Sequence, residues 1–169
     1  MQPPRLSGAF CGQRGIDESA HGGNMSEPRV RVFFYGSYMN RAVLREVQLL
    51  PEDIEVARLD GYDIRIAPRA NLVPSEQHCV YGTLVEATHA ELARLYSHAK
   101  DVLGETYLPH PVLAQSRDGA WWPALCYIAP SMVSRTPDPA YVDRIVGPAR
   151  ELGFPKWYIT RLEAERHVK

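Results

Sequence analysis

The sequence has no excess of either charge: 19 lysines and arginines stand against 20 aspartates and glutamates in 169 residues, a formal net charge of −1. Nucleic-acid binders present a basic face or stripe, so no nucleic-acid partner is expected. No apolar run approaches the roughly 20 residues of a membrane helix. A membrane span is therefore not expected, and the chain reads as soluble and cytoplasmic. Cysteine is scarce. Cys11, Cys79 and Cys126 are odd in number, far apart and without a CxxC pair, which argues against a disulfide framework and the common zinc spacings. The six histidines form no HExxH or HxH pair, and His89 and His98 lie nine residues apart. No metal and no other cofactor is expected.

What is present points to one domain. A hydrophobic content of 45% in a chain of this length is enough for a real core. Residues 1–25 differ from the rest, mixing Gly, Pro, Ser and charges without the apolar stretch of a secretory signal. They read as a disordered tail ahead of a domain over 26–169, and Met25 is a candidate start.

Within the domain, Arg29–Tyr35 alternates and then runs apolar, as a strand entering a buried sheet does. Gly36-Ser37 breaks it, and Asn40 can cap a helix through about Leu50, closed by Pro51. Glu55–Leu59 and Gly61–Ala67 read as two short strands, Asn71–Pro74 as a turn or edge, and Cys79–Val85 as a further strand. In that strand Gly82 marks the close approach of another backbone or a ligand. Thr88 and Glu91 form a capping-box pattern ahead of a helix through Ala99, with Leu92, Leu95, Tyr96 and Ala99 on one face. Tyr107–Gln115 and Ala120–Ile128 form a hairpin about Arg117-Asp118-Gly119. Asp138 and Pro139 open a helix whose apolar face carries Tyr141, Val142, Ile145, Val146 and Ala149. Gly153 ends it, and Pro155 opens a last one. Strands early and in the middle, with helices between and after them, give an α+β fold with a mixed, curled sheet or barrel and flanking helices.

The order of landmarks carries a resemblance. A strand ending in Tyr35-Gly36-Ser37 is followed by Gly61-Tyr62, Asn71–Pro74 and Val80-Tyr81-Gly82-Thr83-Leu84. A helix near Tyr96 comes next, then Leu103-Gly104-Glu105-Thr106-Tyr107 and Ala124-Leu125-Cys126-Tyr127-Ile128. Over roughly 30–160 the chain resembles the γ-glutamyl cyclotransferase-like (AIG2-like) family. The resemblance implies a compact mixed barrel with flanking helices. It also implies a transferase that closes the glutamyl part of a γ-glutamyl amine or dipeptide into 5-oxoproline and releases the amine. That reaction is intramolecular and needs no cofactor. The protein folds the substrate so that its amine meets its γ-carbonyl, and it moves a proton from one nitrogen to the other.

On this resemblance Gly36, Ser37 and Tyr38 form a backbone cradle for the substrate's α-carboxylate, and Tyr35, Tyr96, Tyr107 and Tyr127 join them around a small γ-glutamyl or amino-acid-like ligand. Two positions depart from the family. Tyr38 stands where the family often carries Asn. Setting Leu92-Ala93 on the family's Leu-Asp pair puts Tyr96 at the position of the catalytic glutamate, and a tyrosine with a pKa of ~10 is a poor base at neutral pH. Glu105 is the replacement candidate for the acid/base, provided it turns into the pocket rather than lying solvated in its loop. Glu76 and Glu86 are weaker candidates at strand ends. The alternative is a catalytically inactive module that retains the fold and binds a small ligand or a partner. Ser37 lacks the Gly-x-Ser-x-Gly context of a nucleophile. Trp121-Trp122 reads as a core or edge pair, and Arg65 and Arg69 read as solvent-facing.

Overall fold

The computed structural model describes residues 27–167, so the expected tail over 1–25 and the candidate start at Met25 lie outside the described residues. Five strands form a closed barrel in the order β1-β3-β2-β4-β5. They are β1 (Arg29–Phe34), β2 (Glu55–Ile66), β3 (Ala70–Thr88), β4 (Leu108–Ser116) and β5 (Trp121–Ile128). β1 pairs antiparallel with β3, and parallel with β5 through Val32↔Leu125 and Phe33↔Cys126. Because β1 is covered on both sides, its Val32-Phe33-Phe34 end is apolar without alternation and fully buried. The α+β barrel expected from the sequence is the fold observed.

Several element boundaries differ from the sequence reading. β2 is one strand, not two. Gly61 adopts φ +83° and the register shifts between Asp60 and Tyr62, so the glycine makes a bulge that bends the strand without ending it. Asn71–Pro74 is not a turn but the start of the 19-residue β3, with Pro74 opposite Tyr62 and Ala70 opposite Ile66. The first helix, α1 (Arg41–Glu46), stops four residues before Leu50. Gln48 turns to φ +57°, and the Leu49 amide bonds back to the Leu44 carbonyl at 2.9 Å, which drives Leu49 into the core.

The predicted caps are built as read. Asn40 accepts from the Ala42 amide at 2.8 Å. Thr88 accepts from the Glu91 amide at 3.1 Å, while the Glu91 carboxylate accepts from the Thr88 amide at 2.7 Å. They start α2 (His89–Leu103), which runs one turn beyond Ala99 until Gly104 closes it at φ +74°. α3 (Pro139–Glu151) buries Tyr141, Val142, Ile145, Val146 and Ala149, the face read from its periodicity. α4 (Lys156–Ala164) is tied to β2 by an ion pair between Arg161 and the buried Asp63. Glu165, just after α4, accepts from the Ile66 amide at 3.2 Å.

The candidate active site

Where β1 ends, Tyr35 and Gly36 lead into a single 3-10 turn, Ser37–Met39. Its bonds run from the Met39 amide to Gly36 at 3.1 Å and from the Asn40 amide to Ser37 at 3.0 Å. The amides of Ser37 and Tyr38 precede the first of these bonds, and no other hydrogen bond among the described residues engages them. A turn of this kind presents free N–H groups to a ligand oxygen.

These residues border a cavity of about 30 Å³ walled by Phe34–Tyr38, Ala70, Tyr96, Leu103, Tyr107, Tyr127 and Tyr141. Since a single water needs roughly 10–15 Å³, the resting cavity admits water-sized guests. The rest of the wall is drawn from several elements. Tyr96 and Leu103 come from α2, Tyr107 from the connection into β4, Tyr127 from β5, Tyr141 from the first turn of α3 and Ala70 from the first residue of β3.

The wall is a set of tyrosines locked to one another and to the backbone. Tyr96 stacks on Tyr127 with ring centroids 3.6 Å apart and planes 11° off parallel, and Tyr38 meets the edge of Tyr96 at 6.0 Å. Tyr35 donates to the Tyr127 carbonyl at 2.7 Å, and Tyr38 to the Leu95 carbonyl at 3.4 Å. Tyr107 donates to the Ala70 carbonyl at 2.7 Å, while the Ala70 amide donates to the Tyr141 hydroxyl at 3.0 Å. Burial pushes the Tyr38 hydroxyl up to about 12 and raises Tyr35, Tyr96, Tyr107, Tyr127 and Tyr141 above the ordinary tyrosine value. All six are neutral near pH 7, so they orient a ligand but do not deprotonate it. Burial also pushes the neighbouring Cys126 thiol up to about 12, which leaves it inert.

Thus Tyr35, Gly36, Ser37, Tyr38, Tyr96, Tyr107 and Tyr127, named from the sequence, lie around one cavity. Glu105 does not line it. The residue is nonetheless only 6% exposed, so it is not the solvated loop residue that its type suggests. It accepts from the Arg135 guanidinium at 3.4 Å. It also acts on Tyr107: burial, then the nearby Tyr141, Tyr38 and Glu105, keep that phenol protonated. Glu105 is thus a buried carboxylate two residues before Tyr107 that is not part of the cavity lining. Glu76 and Glu86 are exposed, and among the described residues no cluster of three or more His, Cys, Asp or Glu could hold a metal ion.

Phe34, Ala70, Leu103 and Tyr141 of the wall were not named as site residues from the sequence. Tyr141 was read only as a core residue of α3, yet its hydroxyl end forms part of the wall. Arg69 was read as solvent-facing, yet it is half-buried and its guanidinium carbon lies 4.6 Å from the centroid of the Tyr141 ring. Its position directly before the first wall residue of β3 was the available signal. Of the remaining candidates, Arg65 is exposed and pairs with Asp63 at 3.4 Å. Trp122 lies under the Arg31 guanidinium at 3.7 Å, and Trp121 is exposed.

The fold recurs in proteins of known structure. A γ-glutamyl cyclotransferase superposes with a TM-score of 0.67 at 22% identity, over 81% of this chain and 88% of its own. YkqA from Bacillus subtilis gives 0.68 at 21% identity, over 83% of this chain and 55% of its own. A yeast γ-glutamyl cyclotransferase specific to glutathione gives 0.58 at 14% identity, over 82% and 95%. At such identities the likeness is one of fold. No curated protein sequence matches the chain. The sequence profile described as γ-glutamyl cyclotransferase, AIG2-like, matches residues 32–143. That span runs from β1 into α3 and holds every residue of the cavity wall. With about two thirds of its length matched in this way, the chain belongs to the γ-glutamyl cyclotransferase, AIG2-like family.

Proposed function

We propose that the tyrosine-walled cavity takes the glutamyl part of a small γ-glutamyl amine or dipeptide, and that the protein cyclises it to 5-oxoproline with Glu105 carrying the proton. The observation that carries this reading is the burial of Glu105 two residues before the wall residue Tyr107, in a chain of this family. Of the three buried carboxylates among the described residues, Asp63 is held by Arg161 and Glu165 by the Ile66 amide. Glu105 alone acts on a cavity tyrosine, and its hydrogen-bond partner, Arg135, is a largely exposed side chain.

In this reading the free amides of Ser37 and Tyr38 take the α-carboxylate, folding the substrate so that its α-amine faces the γ-carbonyl. Orientation of this kind can supply about 7–11 kcal/mol of a barrier. The amine nitrogen bonds to the γ-carbon and the bond from that carbon to the departing nitrogen breaks. Glu105 accepts the proton lost by the attacking nitrogen and returns it to the departing amine. The carboxyl has to turn from Arg135 toward the cavity, and the Tyr38–Tyr96–Tyr127 stack has to open, because about 30 Å³ cannot hold a glutamyl chain. The free thiols of Cys79 and Cys126 fit a reducing cytoplasmic setting.

A second reading has its own observation. No carboxylate lines the cavity, and Tyr96 occupies the position that the resemblance gives to the catalytic glutamate. This favours a module that binds the same ligand without turning it over. Mass-spectrometric detection of 5-oxoproline from a panel of γ-glutamyl amines and dipeptides separates the two. The enzyme reading expects release, reduced about 100- to 10,000-fold in Glu105→Gln, the usual worth of a general acid/base. Binding without release supports the module. Undiminished release by Glu105→Gln keeps the enzyme and removes Glu105 from the chemistry.

A further inference from the structure

We infer that the cleft over the seam between β2 and β4 is a second binding site, and that it takes a small monoanion bearing an aromatic ring. The site stands apart from the tyrosine-walled cavity and does not depend on the γ-glutamyl reading.

The cleft has a volume of about 390 Å³, within the roughly 300–1,000 Å³ of small-molecule pockets. It shares no lining residue with the tyrosine cavity. Three parts of the chain enclose it: the middle of the β2–β3 pair, the turn between β4 and β5, and the junction of α3 with α4. Its base follows from strand register. Arg58 stands opposite Tyr81 on one side and Gln115 on the other. The alternation that buries Ala57 and Leu59 leaves Arg58 on the outer surface.

One wall is aromatic. The Tyr81 ring packs against Phe154, with centroids 5.8 Å apart, and against the edge of the exposed Trp157 at 6.0 Å. Val56 and Pro155 complete that side. Flat apolar surface of this kind favours a ring in the ligand.

The charged residues of the lining are both cations, Arg58 and Arg117. Arg58 pairs with Asp60 at 3.0 Å and donates to the Gln115 side chain at 3.1 Å. Asp60 therefore cancels its charge. Arg117 donates to the Leu152 and Gly153 carbonyls at 2.6 and 3.3 Å, and it pairs with no carboxylate among the described residues. The neighbouring Asp118 is turned into the hairpin turn, where it accepts from the Ser116 hydroxyl at 2.5 Å and the Ala120 amide at 3.1 Å. One positive charge is thus left over, on a guanidinium whose remaining N–H groups are oriented by the carbonyls that hold it. That balance calls for a single negative charge. A bare inorganic ion would leave most of the cleft unfilled, whereas a ring with one carboxylate meets the wall and the cation together. The Ser116 hydroxyl is buried and committed within the turn, so the cleft offers binding and no nucleophile.

The probe is phenylacetate, titrated into the full chain with the Gly119 and Gly153 amides followed by NMR. Phenylacetamide keeps the ring and removes the charge; acetate keeps the charge and removes the ring. Saturable shifts at both glycines are expected with phenylacetate, at a Kd of about 1 mM or tighter. Each control should bind at least about 10-fold more weakly. Arg117→Gln should bring phenylacetate down to the affinity of phenylacetamide. Tyr81→Leu should weaken phenylacetate and leave acetate unchanged. No saturable shift at the two glycines overturns the inference, as does equal binding of phenylacetate and phenylacetamide by the wild type. Undiminished binding by folded Arg117→Gln overturns it too. If Arg117→Gln fails to fold, the wild-type ratios and Tyr81→Leu decide. Shifts confined to the residues of the tyrosine cavity would place the acid there and remove the second site.

Discussion

At Gly82 an added Cβ would lie 2.3 Å from the Phe34 carbonyl oxygen and 2.6 Å from the Phe33 ring. Both obstacles belong to β1 in the barrel core, one of them backbone, so neither can give way cheaply. Gly82→Ala is expected to cost at least the top of the ~1–3 kcal/mol range for overpacked cores, read as a lowered urea midpoint. At the cavity the same argument applies to Gly36, whose Cβ would come within 2.9 Å of the Ala70 Cβ. Packing of the loop onto β3 thus requires that glycine even before any ligand is considered. The sequence marked Gly82 because strands seldom carry a glycine without a reason, and Gly36 because it breaks the first strand. It did not mark Tyr141, since a tyrosine at helical spacing among Val142, Ile145 and Ala149 has the pattern of a core residue. Nor did it mark the burial of Glu105: the partner that accompanies it, Arg135, lies 30 residues further along the chain, and no local pattern announces such a pair.

The helix α2 shows what is legible at the scale of an element. Its start was readable to the residue, because Thr88 and Glu91 satisfy each other's amides, and its buried stripe was readable from spacing. Its end was missed by one turn, because Gly104 supplies the left-handed residue that closes the helix and Ala99 carries no stop signal. Thr88→Ala is expected to cost about 1 kcal/mol, seen in the chemical denaturation midpoint, with faster amide exchange at Ala90 and Glu91 if the first turn frays. The long β2–β3 hairpin was legible only in pieces. A bulge glycine such as Gly61 looks like a terminator in one dimension and acts as a bend in three. The seam between β2 and β4 is narrow, pairing only Ala57↔Ser116 and Arg58↔Gln115. Along the rest of β4, Pro109 and Pro111 remove donors from the exposed edge, as edge strands need.

Across the whole molecule, the feature joining fold to function is that β1, β3, β5, α2 and α3 each send at least one residue to a single cavity, and six of the wall residues are tyrosines. Motif order could place the loop and the strands, but only closure of the barrel brings Tyr141 from the C-terminal third against Gly36. Closure also has a thermodynamic signature. Burial holds the Tyr38 pKa at about 12 and the Cys126 pKa at about 12, and raises those of Tyr35, Tyr107 and Tyr141. The unfolded chain loses these protons near the ordinary values of ~8.5 for cysteine and ~10 for tyrosine, while the folded chain retains them. Above those values the unfolded state binds fewer protons, so the unfolding free energy falls as pH rises. The contribution is intact below ~pH 8.5 and is progressively lost toward about 12, with a slope of up to ~1.4 kcal/mol per pH unit for each group still protonated only in the fold. Urea unfolding followed between about pH 8 and pH 11 should show this decline, and Tyr35→Phe should make it shallower by removing one titrating group. A flat profile would mean that the phenols are already solvated at rest. The cavity would then stand open, and the opening of the Tyr38–Tyr96–Tyr127 stack would no longer be a requirement for substrate entry.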